Sequence, residues 1–162
     1  MGRFYAFIYI ITLLLLTFSA AEASPRQEVM KGPITGNVLR VLDGDTVTVR
    51  VRVWIGQEIE TSLRIEGIDA PEMKSQCAKE RALAETARQE IIRLLGDNRI
   101  RIYNVRLEKY AGRVLAQAQT AAGIDIGKHM LEKGLARPYH GEKRQPWCSE
   151  AAQGPDLTSS AG

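Results

Sequence analysis

The chain has 162 residues, 44% of them hydrophobic, and a net charge of +3. That is enough for one domain with its own core. The mild basicity permits nucleic-acid binding without demonstrating it. The two cysteines, Cys77 and Cys148, form no CxxC and no Cys/His cluster, which argues against zinc.

The chain starts Met1-Gly2-Arg3 and then runs uncharged from Phe4 to Ala21. Its centre, Ile8 to Leu16, is strongly apolar, and small residues follow it. Ala21-Glu22-Ala23 fits a small-x-small cleavage pattern, so residues 1–23 are expected to be a secretory signal peptide cut after Ala23. Cuts after Ala20 or Ala21 also fit. The other reading is an uncleaved anchor, but a spanning helix takes roughly 20 apolar residues and this run is slightly short. Under both readings the remainder lies outside the cytoplasm, periplasmic or secreted. There an oxidised Cys77–Cys148 pair is expected, with two free thiols as the alternative. A bridge closing a loop this long stabilises a fold by about 4 kcal/mol in the chain-entropy picture.

Residues 24–33 read as a flexible leader and 151–162 as a disordered tail of small, polar, aperiodic composition. The body, 34–150, reads as one domain. Ile34 to Leu42 is β-rich, and Asp43-Gly44-Asp45 is a turn signal. Val47, Val49, Val51 and Val53 then alternate with Thr46, Thr48, Arg50 and Arg52, which predicts a half-buried strand. Gly56 breaks it. Ile59 to Ile68 predicts the next strand, with Leu63 and Ile65 on one side and Ser62, Arg64 and Glu66 on the other.

Residues 75–95 switch to helical period, with Leu83, Ala87, Ile91 and Leu94 on one face and Gly96 as the stop. Strands follow over Arg99 to Leu107 and Arg113 to Thr120. Asp125 caps a short helix from Ile126 to Lys133, ended by Gly134. The order β-β-β-α-β-β-α predicts a mainly β fold, a five-stranded OB-type Greek-key barrel with two to three helices.

Three segments can carry chemistry. Val41-Leu42-Asp43-Gly44-Asp45-Thr46-Val47 places two carboxylates around a glycine. Taken alone it is an ordinary Asp-Gly hairpin turn, and it lacks the further ligands of an EF-hand. Leu63-Arg64-Ile65-Glu66-Gly67-Ile68-Asp69-Ala70-Pro71-Glu72 puts an arginine in a strand and two acids at its end. The bland alternative is a solvated arginine and a helix start dressed with acids. Glu108-Lys109-Tyr110-Ala111-Gly112-Arg113 is a charged hairpin tip that delivers Arg113.

Together the segments have a logic. Phosphodiester hydrolysis needs a hard cation, a base for water and positive charge for the transition state. Asp45 and Asp69 can hold a cation through oxygen and leave room for water and phosphate. Glu72 can orient or deprotonate the water. Arg64 and Arg113 can each donate bidentate hydrogen bonds to phosphate oxygens.

In order and spacing, these segments resemble the three signature segments of the staphylococcal nuclease (thermonuclease) family, and the likeness covers most of residues 34–140. The resemblance implies an OB-fold barrel and calcium-dependent cleavage of DNA and RNA. By position it implies Asp45, Asp69 and the main-chain carbonyl of Ala70 as calcium ligands, with Asp43 behind them. It implies Glu72 as general base and Arg64 and Arg113 as catalytic, phosphate-binding arginines. Lys109 and Tyr110 match residues that contact a terminal phosphate of the substrate, and Tyr139 lies near a base-stacking aromatic. Ala111 is an extra residue in the third segment, and the Trp147-Cys148 segment is absent from the type member. The partners implied are DNA and RNA substrates, with the chain monomeric and at a membrane only if the leader stays uncleaved.

Other residues read more blandly. His129 is expected to be structural. His140 sits in a loop whose Lys143 and Arg144, with nearby Arg137, form a small basic patch. A solvated loop is the simpler reading of that patch, and contact with a nucleic-acid backbone the alternative. The rival to an enzyme is a non-catalytic OB-type binding module, but such modules show aromatic platforms and a strongly basic groove, and this chain is poor in both.

Overall fold

The computed structural model describes residues 28–108 and 112–148. The expected signal peptide, the first part of the leader, the tail, and Lys109, Tyr110 and Ala111 lie outside the described residues. The strands are β1 (Ile34–Val41), β2 (Thr46–Trp54), β3 (Gln57–Ile65), β4 (Ile68–Asp69), β5 (Arg99–Leu107), β6 (Arg113–Thr120) and β7 (Arg137–Pro138). The helices are α1 (Ala78–Leu95) and α2 (Ile126–Glu132).

Five strands close a barrel in the order β1-β2-β3-β6-β5. All neighbours are antiparallel except β3 and β6, and β1 pairs with β5 to complete the closure. This is the expected five-stranded OB barrel. The alternation in β2 sets its facing. Val47, Val49 and Val51 fill the barrel, while Arg50 and Arg52 stay outside, paired across the ladder with Glu60 and Glu58.

Three departures from the sequence reading matter. First, the strand expected over Ile59 to Ile68 is broken. Gly67 takes a left-handed φ of 84°, which glycine adopts without steric cost. The chain leaves the barrel there, and β4 pairs with β7 instead, Asp69 facing Arg137. Second, the buried face of α1 is Ala84, Ala87, Ile91 and Leu95, whereas Leu83 is exposed. The small alanines let the helix approach the barrel closely, which turns Leu83 outward. The helix also begins at Ala78, later than predicted. Third, residues 28–33 run beside β5 in place of a free leader. Met30 and Val105 exchange two backbone hydrogen bonds of 2.9 and 2.8 Å.

The smaller expectations about helix ends hold. Asp125 caps α2 by accepting from the Lys128 amide at 2.9 Å. Gly96 closes α1 through its amide to the Ile92 carbonyl. His129 ties α2 to α1 through Glu90, with Nε2 and Oε1 2.6 Å apart.

Candidate active site

The site grows from the turn between β1 and β2. Asp43 Oδ1 accepts from the Asp45 amide at 3.2 Å, a local bond that short acidic side chains make readily in turns. Gly44, between them, has no room for a side chain. A Cβ there would lie 2.7 Å from both the Ala70 and Ala87 Cβ atoms. The turn, the end of β4 and α1 therefore pack almost backbone to backbone.

That packing buries Asp45, which is 1% exposed. Its Oδ1 accepts from Thr46 Oγ1 at 2.8 Å and from Arg64 Nη1 at 2.8 Å. Its Oδ2 accepts from the Ala70 amide at 2.9 Å. One carboxylate thus joins the start of β2, the end of β3 and the end of β4. Arg64 is buried with it, because Ile68 and Tyr139 cover that side of β3. Its Nη2 reaches the Ile68 carbonyl and Asp69 Oδ1, each at 3.4 Å, and its guanidinium lies 6.0 Å from the Tyr139 ring centre. Strand alternation puts Arg64 opposite Leu63 and Ile65 but does not reveal this cover.

The break at Gly67 carries Asp69 to the same place. Its Oδ1 accepts from Arg144 Nε at 2.8 Å, and its Oδ2 from the Trp147 indole Nε1 at 3.3 Å. Glu72 follows beyond Pro71. Its amide donates to Glu80 in the first turn of α1 at 3.1 Å, and its Oε1 accepts from Arg144 Nη1. Arg113 opens β6, with Nε 2.9 Å from Glu108 Oε2. Arg64, Glu72, Arg113, Tyr139 and Arg144 all line one open cleft of about 900 Å³.

The charge balance is uneven. Burial first, then the charge of Asp45 and, more weakly, that of Glu72, pushes the Asp43 carboxyl up to about 7. Burial also raises Asp69, against the opposing pull of Arg144 and the Trp147 hydrogen bond. Burial works against the charge of Arg144, but its hydrogen bond to Glu72 and the charges of Asp69, Glu72 and Asp45 outweigh that and raise it. Burial is thus the leading cause at both acids, Asp43 and Asp69, with the neighbouring Asp45 charge adding to it.

The structure brings Asp43, Asp45, Arg64, Asp69, Ala70 and Glu72 together and puts Arg113 and Tyr139 on the same cleft. Lys109 and Tyr110 lie outside the described residues. Among the described residues, no three His, Cys, Asp or Glu side chains converge as a metal-holding group. The metal-ligand candidates are two carboxylates, not a cage.

The expected disulfide joins Cys77 to Cys148, with Cα atoms 6.6 Å apart. It holds a strap that runs from β7 to Cys148. Within the strap the Arg137 guanidinium lies 3.8 Å from the Trp147 ring centre, a close cation–π contact. Arg137 Nη1 also donates to the Pro146 carbonyl at 3.3 Å. The solvated-loop reading of this segment is therefore wrong for Arg144, which is bonded to Asp69 and Glu72. Arg144 and Trp147 are the site residues that sequence reasoning missed. The available signal was Cys148, whose bridge to the start of α1 returns the strap to within a few residues of Glu72.

Residues 62–154 match the family described as staphylococcal nuclease homologue. "Probable endonuclease LCL3" of Phaeosphaeria nodorum is 31% identical over 88 residues, 52% of this chain and 29% of that protein. "Probable endonuclease lcl3" of Pyrenophora tritici-repentis is 34% identical over 80 residues, 48% of this chain and 29% of that protein. An "Uncharacterized endonuclease" of Escherichia coli is 26% identical over 118 residues, 73% of this chain and 69% of that protein. The match thus spans under a third of the two fungal relatives and about two thirds of the bacterial one.

Proposed function

The chain belongs to the staphylococcal nuclease homologue family, and on that premise we propose that it is an exported, calcium-dependent nuclease hydrolysing phosphodiester bonds of DNA and RNA. The observation that carries this reading is that Arg64, which lines one cleft with Glu72 and Arg113, bonds beneath it to both Asp45 and Asp69.

The residues fit a hard cation. Asp45 and Asp69 offer only oxygen, as does the Ala70 carbonyl, and calcium takes oxygen ligands. Burial first, and then the charge of Asp45, pushes the Asp43 carboxyl up to about 7, and a divalent ion beside Asp45 would ease the second of these. Asp45, Asp69 and the Ala70 carbonyl would hold it. When bound, such an ion polarises a phosphate oxygen as a Lewis acid.

The chain supplies the rest. Glu72 is half-exposed at the cleft, placed to orient a water and take its proton on a carboxylate oxygen. Arg113 presents guanidinium donors to the phosphoryl oxygens of the phosphorane-like transition state. Arg64 adds fixed positive charge from beneath, held rigid by Asp45. Tyr139 offers a ring at the cleft wall for a base. The disulfide supports export, because such bonds persist in oxidising compartments. The apolar start of the chain supports it independently.

The test incubates the purified protein with single-stranded and plasmid DNA, in calcium or in chelator, beside Glu72→Gln and Arg113→Ala. The expected result is calcium-dependent degradation, reduced about 10²–10³-fold in each variant. Tight DNA binding with no cleavage in calcium overturns the enzyme reading in favour of a binding module.

A further inference from the structure

The three segments that define the site leave out one cation that bridges two of its acids. Arg144 spans two of the acids, with Nε 2.8 Å from Asp69 Oδ1 and Nη1 on Glu72 Oε1. Its position is not that of a wandering surface side chain. The strap carrying it is fixed at one end by the pairing of β7 with β4 and at the other by the Cys77–Cys148 bridge. Between them, Trp147 donates to the other oxygen of Asp69, and Arg137 braces Trp147.

We propose that Arg144 is a positioning residue that competes with the metal ion for Asp69 and thereby sets the affinity of the site for a divalent cation. This rests on the metal reading given under Proposed function. A guanidinium and a divalent ion both seek the lone pairs of Asp69, and their like charges repel at this range. Seating the cation therefore requires Arg144 to loosen its hold. Arg144 already lines the cleft shared by Arg64 and Arg113, so a displaced guanidinium stays within the region where a substrate phosphate would sit. While it is engaged, it keeps Glu72 and Asp69 in fixed orientations and offsets part of their charge. The site is thus tuned toward weaker cation binding than its acids alone would give.

The test is calcium binding without nucleic acid, by isothermal titration of the folded, disulfide-bonded protein. Thermal unfolding in chelator checks that each variant is folded, and the side chain of Arg144 is 40% exposed, so truncation is tolerable. Arg144→Ala is expected to bind calcium at least about tenfold more tightly, from removal of one positive charge close to a divalent ion. Arg144→Lys, which keeps the charge and loses the planar fork, is expected to fall between. A merely structural arginine would leave affinity unchanged or weaken it on removal. Wild-type binding with equal or weaker affinity in Arg144→Ala overturns this inference alone. No calcium uptake by wild type or variant overturns the metal reading, and this inference with it.

Discussion

Arg64 and Asp45 form a buried ion pair, with Nη1 and Oδ1 2.8 Å apart and side chains only 6% and 2% exposed. Two of the residues expected to do chemistry therefore also hold the barrel end together. Removing Arg64 leaves the buried Asp45 charge held only by the Thr46 hydroxyl and the Ala70 amide. Arg64→Ala is expected to lose about 3 kcal/mol of stability in addition to activity, as measured by urea unfolding. An unchanged midpoint would mean that water reaches Asp45 freely.

Gly44 makes a second link between stability and the site. Its neighbours Ala70 and Ala87 leave no space for a methyl group. Gly44→Ala should cost about 1–3 kcal/mol through overpacking, read as a lower thermal midpoint. The same displacement moves Asp45, so on the proposed nuclease reading the rate of DNA cleavage should fall with it.

Away from the site, Glu90 is expected to contribute to the acid limb of stability. The hydrogen bond from Arg93, and then that of His129, lowers its carboxyl from 4.5 to about 2. A lowered carboxyl stabilises the fold fully above the ordinary glutamate range, and that stabilisation drains as pH falls from 4.5 toward about 2. Glu90→Gln should flatten the pH dependence of the denaturant midpoint across this window. A wild-type slope in the variant would assign the acid limb to other groups.

The Cys77–Cys148 bridge closes a separation of 71 residues. The Cys77→Ser/Cys148→Ser variant should lose about 4 kcal/mol in the chain-entropy picture, seen as a lower unfolding midpoint than that of the oxidised protein. Reductant should lower the wild-type midpoint and leave the variant unmoved.

Much of the barrel was readable from one dimension. The valines of β2 alternate because one face is buried, and Asp125 and Gly134 mark helix ends by local chemistry. Asp45, Arg64, Asp69 and Glu72 were legible as candidates because their three segments resemble the staphylococcal nuclease signatures in order and spacing; local turn chemistry alone does not join Asp45 to Arg64, 19 residues on. The face of α1 was misread by about one residue. A run such as Leu83-Ala84-Glu85-Thr86-Ala87 admits two apolar stripes, and closeness of approach to the barrel selects between them.

What the sequence by itself determined was the five barrel strands, the turn that carries Asp43 and Asp45, and the acids and arginines that make hydrolysis conceivable. These follow from periodicity and local backbone chemistry. The burial of Arg64 against Asp45, the exit of the chain at Gly67 and the arrival of Arg144 on Asp69 and Glu72 were decided only by the tertiary structure. Arg144 and Glu72 are 72 residues apart. No local pattern encodes such a contact, because it depends on how the barrel closes and on where a disulfide returns the chain.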